Sequence, residues 1–264
     1  MTYRRLGKSG LWLSEIGLGL WKWGDPAYDG ARVGEHAGFQ ILDRALELGV
    51  THWDTANSYN GGAGNSERLL GRYFQSRGQR VRDQVVLATK IRNPVRAEHE
   101  MTREFTPNES GASRKYIIQA VEDSLRRLQT DYIDLLYHHA PDLLPDGSWV
   151  TPLDETWDAF DHLISQGKVR YLAVSNRSAA QLKAETEALS AVGANSARRI
   201  IGVQNHYNML QRPKVAAKEE PTMADADAFL AYLAEAQIGL IPYVPLAVGL
   251  LTGRYRKGDL DESG

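Results

Sequence analysis

A chain of 264 residues with 42% apolar and 24% charged side chains suits one large α/β domain or two small ones and has an ordinary water-soluble surface. A formal net charge of −2 gives no electrostatic reason to bind nucleic acid or an anionic membrane, and no apolar run approaches the roughly 20 residues that span a bilayer. The absence of cysteine excludes disulfides, thiolate chemistry and cysteine-bound metals, and the expected compartment is the cytoplasm.

The N-terminus, Met1 to Lys8, is basic but has no apolar stretch behind it, so it is not read as a secretory signal. Residues 3 to 20 alternate apolar and polar around Gly7-Lys8-Ser9-Gly10, which predicts a β-hairpin followed by a strand, Ile16 to Leu20. Phe39, Ile41, Leu42, Ala45, Leu46 and Leu48 recur at helical spacing until Gly49. Val50 to Trp53 then reads as a short buried strand closed by Asp54, with Tyr59 five residues on in a glycine-rich loop. A helix starts near Ser66, with Leu69, Leu70 and Phe74 inward. Val85 to Lys90 is a continuous apolar strand that ends in lysine.

Residues 91 to 112 are charged and dotted with Pro94, Pro107 and Gly111, and a loop of that length is usually functional or mobile. Ser113 is placed to cap a helix with Ile117, Ile118, Val121, Leu125 and Leu128 inward, and Ile133 to His139 is the next strand. Thr151-Pro152-Leu153-Asp154 reads as a helix start with Thr at the N-cap and Pro at the first helical position. That helix stops at Gly167, and a strand, Val169 to Val174, runs into Ser175-Asn176. A helix over 178 to 191 leads to the strand Ile200 to Asn205. Another, opened by Thr222 with Asp225 at its third position, leads to Leu240 to Tyr243.

Alternating strands and helices without a linker predict a (β/α)-barrel or a doubly wound sheet. Two features choose the barrel. No G-x-G-x-x-G opens a helix, since Gly17-Leu18-Gly19 runs into Leu20-Trp21-Lys22. Competent side chains also end nearly every strand: Asp54, Lys90, His139, Ser175-Asn176, Gln204-Asn205 and Tyr243. The expected architecture is a (β/α)8 TIM barrel in one domain over residues 1 to 264. Only seven strands are countable, so the eighth strand and the C-terminal helices are expected to be missing from a chain that is a piece of a longer protein.

Several segments together resemble the aldo-keto reductase family. Asp54-Thr55-Ala56-Asn57-Ser58-Tyr59 with Gly62, Gly64, Ser66-Glu67 and Leu70-Gly71 resembles its D-T-A-x-x-Y-G…S-E…L-G pattern. Ala88-Thr89-Lys90 is similar to its lysine strand, and Ser124 to Leu128 with Asp131 to Leu135 to its S-L-x-R-L-x-x-D-Y-I-D-L run. Gly167 to Arg170 with Val174-Ser175-Asn176, and Tyr243 to Ala247 with Gly249 to Tyr255, complete a match over essentially the whole chain in order. The branch it resembles most is that of aryl-alcohol dehydrogenases and potassium-channel β-subunits. Two departures stand out. Val244 occupies the place of a serine that meets the cofactor pyrophosphate, and the segment that grips the adenosine end and the 2′-phosphate is absent.

The resemblance implies reversible reduction of a small-molecule aldehyde or ketone by NADPH, returning NADP+. Hydride addition develops an alkoxide, which needs a proton donor and hydrogen-bond donors. Tyr59 is the expected acid. A lysine nearby favours the phenolate and lowers the hydroxyl pKa, a part given to Lys90, with Asp54 holding that lysine. His139, in the family's H-x-P position, is expected to bond the carbonyl oxygen, and His138 to point the other way and pack. Cofactor contacts are expected from Trp21, Asp54, Ser175, Asn176, Gln204, Tyr243, Pro245, Leu246, Gly249, Leu251 and Arg254. The plain alternatives are a surface lysine at 90, strand-end caps at 175 and 176, a core tyrosine at 243, a solvated Arg254, and tryptophans at 21 and 23 that merely cover the barrel.

Two rival functions follow. A metal-dependent barrel hydrolase would use His52, Asp54, Lys90, His138 or His139, and His206 as ligands, but this leaves Tyr59 without a role and lacks a late-strand aspartate, so no metal is expected. A nicotinamide-binding regulatory subunit without turnover is the second. No stretch marks an interface between copies.

Overall fold

The computed structural model describes residues 1–27, 31–96, 104–193, 199–210 and 223–254. It opens with β1 (Tyr3–Arg5) and β2 (Trp12–Ser14), an antiparallel hairpin, as the alternation predicts. Then come β3 (Gly17–Gly19), α1 (Glu35–Glu47), β4 (His52–Asp54), α2 (Asn65–Arg77), α3 (Gln79–Gln84), β5 (Val86–Ile91), α4 (Arg114–Leu128), β6 (Ile133–His138), α5 (Leu153–Ser165), β7 (Val169–Ser175), α6 (Ala179–Ala191), β8 (Ile200–His206), α7 (Met223–Ala236) and β9 (Gly239–Tyr243).

Strands β3 to β9 form one parallel sheet whose order follows the sequence. A doubly wound sheet would reverse direction at a switch point; this one does not. Four strand spacings, about 19 Å in a flat sheet, separate β4 from β8, yet Gln204 Nε2 on β8 donates to Asp54 Oδ1 on β4 at 3.1 Å. The sheet is therefore curled into a barrel, incomplete at seven strands among the described residues.

The two-residue period of the strands divides the core in two. On β6, Leu135 and Tyr137 face the barrel interior with Leu13, Ala88, Ala173 and Ile201. Leu136 faces outward into the layer under the helices, with Trp53, Leu69, Val121, Phe160, Val203 and Phe229. The hairpin plugs the N-terminal end of the barrel. Leu6 lies so close to β9 that a Cβ at Gly239 would come within 2.4 Å of Leu6 Cδ1, and Lys8 N donates to Gln237 O at 2.8 Å.

Several expectations shift. The helix after residue 151 starts at Leu153 with Pro152 as its N-cap and no side-chain cap, so Thr151 does not cap it. Pro152 sits at φ −52 and ψ 134, an extended entry that moves the first helical turn one residue on. α1 begins at Glu35, four residues before Phe39, because Glu35, His36 and Ala37 are exposed and add nothing to the apolar period. Short α3 was not predicted, because its sequence, Gln-Arg-Val-Arg-Asp-Gln, carries a single apolar residue. The 91 to 112 loop holds a 3-10 turn at Pro107–Glu109 with a Thr106 capping box. Thr222 and the polar tail after Arg254 lie outside the described residues. Among the described residues no helix is long and apolar enough to cross a membrane.

Candidate active site

The parallel register brings the ends of β4, β5 and β6 to one rim, with Asp54 beside Ala88 and Lys90 beside Tyr137. Beyond Asp54 the chain stays on β5: Thr55 N donates to Ala88 O at 2.9 Å and Asn57 N to Lys90 O at 3.0 Å. Ser66 ties the same loop back to β3, bonding Thr55 Oγ1 at 2.8 Å and Leu20 O at 2.9 Å. Gly64 closes it at φ +71, where a Cβ would meet the Arg127 side chain at 2.8 Å and Asn57 O at 2.9 Å. These ties hold Tyr59 over the end of β5.

Lys90 is fully buried, and its Nζ reaches three oxygens. It donates to Asp54 Oδ2 at 2.5 Å, to Thr55 O at 2.8 Å and to Tyr59 OH at 3.0 Å. Three acceptors match the three donors of an ammonium. Behind it, Thr89 Oγ1 donates to the buried Glu67 at 2.6 Å, and Arg127 Nε holds that carboxylate at 2.7 Å, fixing β5 against α2 and α4. The surface-lysine alternative is excluded by this burial.

Charge tuning follows the geometry. Burial alone would pull the Lys90 ammonium down, but Asp54 and Tyr59 together hold it above the usual lysine value. Burial lifts the Tyr59 hydroxyl; Lys90 pulls it back and Asp54 lifts it again, so it ends raised. This corrects the expected net lowering: the pull of Lys90 is present, but desolvation outweighs it. Burial, reinforced by Lys90 and neighbouring cations, pushes His139 down to about 3. The imidazole is thus neutral near pH 7. Asn93 Nδ2 stands 3.4 Å from His139 Nδ1, and an N–H donated there leaves the ring proton on Nε2. The rings of Tyr59 and His139 meet edge to face at 6.0 Å.

Asp54, Tyr59, Lys90 and His139 are therefore brought together. His138 turns outward, as expected, and is buried beside Arg177 and Glu185. The amide-bearing rim also assembles. Gln204 reaches Asp54, Ser175 Oγ donates to Gln204 O at 2.8 Å, Asn176 Nδ2 donates to His139 O at 2.9 Å, and Tyr243 OH donates to Asn176 Oδ1 at 2.6 Å. Pro245, Leu246, Gly249, Leu251 and Arg254 follow β9 on a segment with a 3-10 turn at Ala247–Thr252, with Pro245, Leu246 and Arg254 exposed. Trp21 is also exposed, with Lys22 Nζ 4.2 Å over its ring, whereas Trp23 is buried in the outer core. Asn93 and the Thr55 carbonyl were not predicted. Asn93 lies three residues past Lys90, and its polarity at a strand end was the available signal.

The metal-ligand set does not assemble. His52 sits deeper in the barrel, His206 packs on Tyr243 at 5.5 Å between ring centroids, and among the described residues no three His, Asp or Glu side chains gather as a cation site.

The arrangement fits a nicotinamide. Side-chain amides and a hydroxyl suited to a carboxamide lie beside the Tyr59–Lys90 pair, the Tyr243 ring stands at the same rim, and the exposed Arg254 offers a cation farther out.

The Aldo/keto reductase family profile matches residues 15–262. The chain is 32% identical over 263 residues to an L-glyceraldehyde 3-phosphate reductase of Escherichia coli O157:H7, covering 100% of this chain and 66% of that protein. It is 36% identical to the uncharacterized oxidoreductase YrpG of Bacillus subtilis, over 98% of this chain and 71% of that one. It is 34% identical to a probable voltage-gated potassium channel subunit beta of Arabidopsis thaliana, over 98% of this chain and 68% of that one. It thus spans about two thirds of the length of these relatives. The chain belongs to the aldo/keto reductase family.

Proposed function

We propose that this chain carries the catalytic part of an NADPH-dependent reductase that reversibly converts a small aldehyde or ketone to its alcohol in the cytoplasm. The observation that carries the reading is Lys90 Nζ, which contacts Asp54 at 2.5 Å and Tyr59 OH at 3.0 Å in a site closed to water on the lysine side.

A reduced nicotinamide, when bound at this rim, would supply the hydride for the carbonyl carbon. Charge then builds on the carbonyl oxygen, and Tyr59 gives it a proton. A tyrosine hydroxyl is protonated at neutral pH, the form reduction requires, and burial moves this one further in that direction. As the proton leaves, the Lys90 ammonium stands 3.0 Å from the forming phenolate and offsets its charge. Asp54 holds the ammonium in place. Neutral His139 donates Nε2–H to the same carbonyl oxygen, so two donors converge on it. A positioned general acid contributes about 10²–10⁴-fold in such reactions. Ser175, Asn176 and Gln204 would hold the carboxamide, Tyr243 would stack on the ring, and Pro245, Leu246, Gly249, Leu251 and Arg254 would run along the pyrophosphate, with Trp21 at the mouth. The segment after β9 carries Val244, Ala247 and Val248 at φ +55, +49 and +57, the strained backbone that clusters at ligand clamps.

The test is loss of NADPH absorbance with a panel of aromatic, aliphatic and sugar aldehydes, with the Tyr59→Phe protein in parallel. Turnover by the parent and its loss in the variant, with cofactor binding kept, are expected. NADPH binding without turnover on any member of the panel would replace this reading with that of a regulatory subunit.

A further inference from the structure

Behind the rim, outside the barrel wall, three polar side chains are completely buried: Arg177, Glu185 and His138. None belongs to the reacting set described above. Arg177 Nε and Nη2 donate to the two oxygens of Glu185 on α6 at 2.7 and 2.9 Å. Nη2 also donates to His138 Nδ1 on β6 at 2.7 Å, and Nη1 to Ser175 O on β7 at 2.7 Å. The Arg177 backbone is held from β8, where Asn205 Oδ1 accepts from its N–H at 3.1 Å and Asn205 Nδ2 donates to its carbonyl at 2.8 Å. One residue therefore joins the ends of three neighbouring strands and a helix.

Stability does not explain such a knot. A buried ion pair repays its desolvation poorly, and apolar replacement of both partners is often neutral or stabilising. What the knot fixes is its immediate neighbours. Asn176, just before Arg177, sits at φ +62, a left-handed backbone that asparagine tolerates better than most side chains. From there it grips His139 O and takes the Tyr243 hydroxyl. His138, bonded to the same guanidinium, precedes His139.

We propose that Arg177, clamped by Glu185, is a positioning residue that sets the places of Asn176, Tyr243 and His139 against the nicotinamide and the carbonyl. The inference rests on the carbonyl-reductase reading. A loosened guanidinium releases Asn176 from its left-handed turn, the Tyr243 ring loses its anchor, and His139 loses the bond to its carbonyl. All three shifts fall on the same rim.

The experiment compares two buried pairs in the full chain. In the first, Arg177→Met with Glu185→Leu removes the clamp. In the second, Arg82→Met with Asp134→Leu removes another buried pair (2.8 Å) at the opposite end of β6. Each protein is measured for melting temperature, NADPH dissociation constant by nicotinamide fluorescence, and kcat and KM for an active aldehyde. The first pair is expected to weaken NADPH binding and lower kcat by about 10–100-fold, the second to leave both unchanged whatever it does to melting. Unaltered kcat and NADPH affinity in the first pair overturn the proposal, as does an equal loss in both pairs. Should the double variant fail to fold, Glu185→Gln is read the same way, with a smaller loss expected and parental values overturning the idea. A parent that binds NADPH but reduces no carbonyl defeats the functional reading alone, and the NADPH comparison still tests the clamp.

Discussion

Lys90 and Asp54 meet at 2.5 Å with side-chain exposures of 1% and 14%, an ion pair almost withdrawn from water. Removing one partner of such a pair leaves an uncompensated buried charge and costs about 3–5 kcal/mol. Lys90→Met alone should therefore lower the melting temperature sharply. The double variant Lys90→Met with Asp54→Asn should recover much of that stability and remain inactive. Calorimetry with a reductase assay separates the two effects. A fully active double variant would show that the pair is scaffolding.

Tyr59→Phe keeps the ring that packs edge to face on His139 and deletes only the hydroxyl bonded to Lys90. Reduction should fall by about 10²–10⁴-fold, with NADPH affinity and melting temperature near parental values. Parental rates in the variant would assign the proton to another donor.

Acid should destabilise the fold well above the carboxylate range. Burial holds His139 down to about 3 in the folded chain, against an ordinary value near 6.5, and depresses His52 and His138 as well. Between the folded and unfolded values the unfolded chain binds more protons, so stability rises with pH there. The contribution is fully present above about pH 6.5 and drains away as pH falls toward 3. His139→Gln should flatten the slope of melting temperature against pH in this window. An unchanged slope would mean that His139 is exposed to water in solution. The same tuning predicts that reduction shows no limb near pH 6.5 from His139. On the alkaline side, the raised Tyr59 hydroxyl should keep reduction active until the pH passes its ordinary range, while alcohol oxidation, which needs the phenolate, gains as pH rises.

Gly71 lies on α2 where it crosses α4, and a Cβ there would come within 2.1 Å of Arg127 O. Gly71→Ala should lose about 1–3 kcal/mol despite the better helix propensity of alanine, because the neighbour is backbone and cannot rotate away. Urea unfolding checks this. A stabilised variant would show that the two helices slide apart freely.

The barrel and its rim were legible because nearly every strand ends in a chemically distinctive residue after an apolar run, and parallel register then lines those ends up. Asp54, Lys90 and the histidine pair could be picked out on that basis; the role of Tyr59, in the loop past Asp54, and the choice of His139 over His138 came from the family resemblance. Arg177 could not. It follows the strand-end Ser175-Asn176, and nothing in a linear pattern reveals that Glu185, eight residues on, folds back onto it. The acidity of Tyr59 was misjudged for a related reason: a charged neighbour is visible in sequence, but the exclusion of water that outweighs it arises only after folding. Thr151 was a cap by pattern, and the extended backbone at Pro152 moved the helix past it.

The hairpin that stoppers the barrel is seated by strands far along the sequence. Leu6 seats against Gly202 and Gly239, and Lys8 bonds the carbonyl of Gln237. During synthesis that seat does not exist until β8 and β9 have left the ribosome, so β1 and β2 must wait for strands far along the sequence. Contacts of such separation slow folding. Mutations at Leu6, Gly202 or Gly239 should accordingly delay the last kinetic phase of refolding more than they disturb the rim where the chemistry takes place.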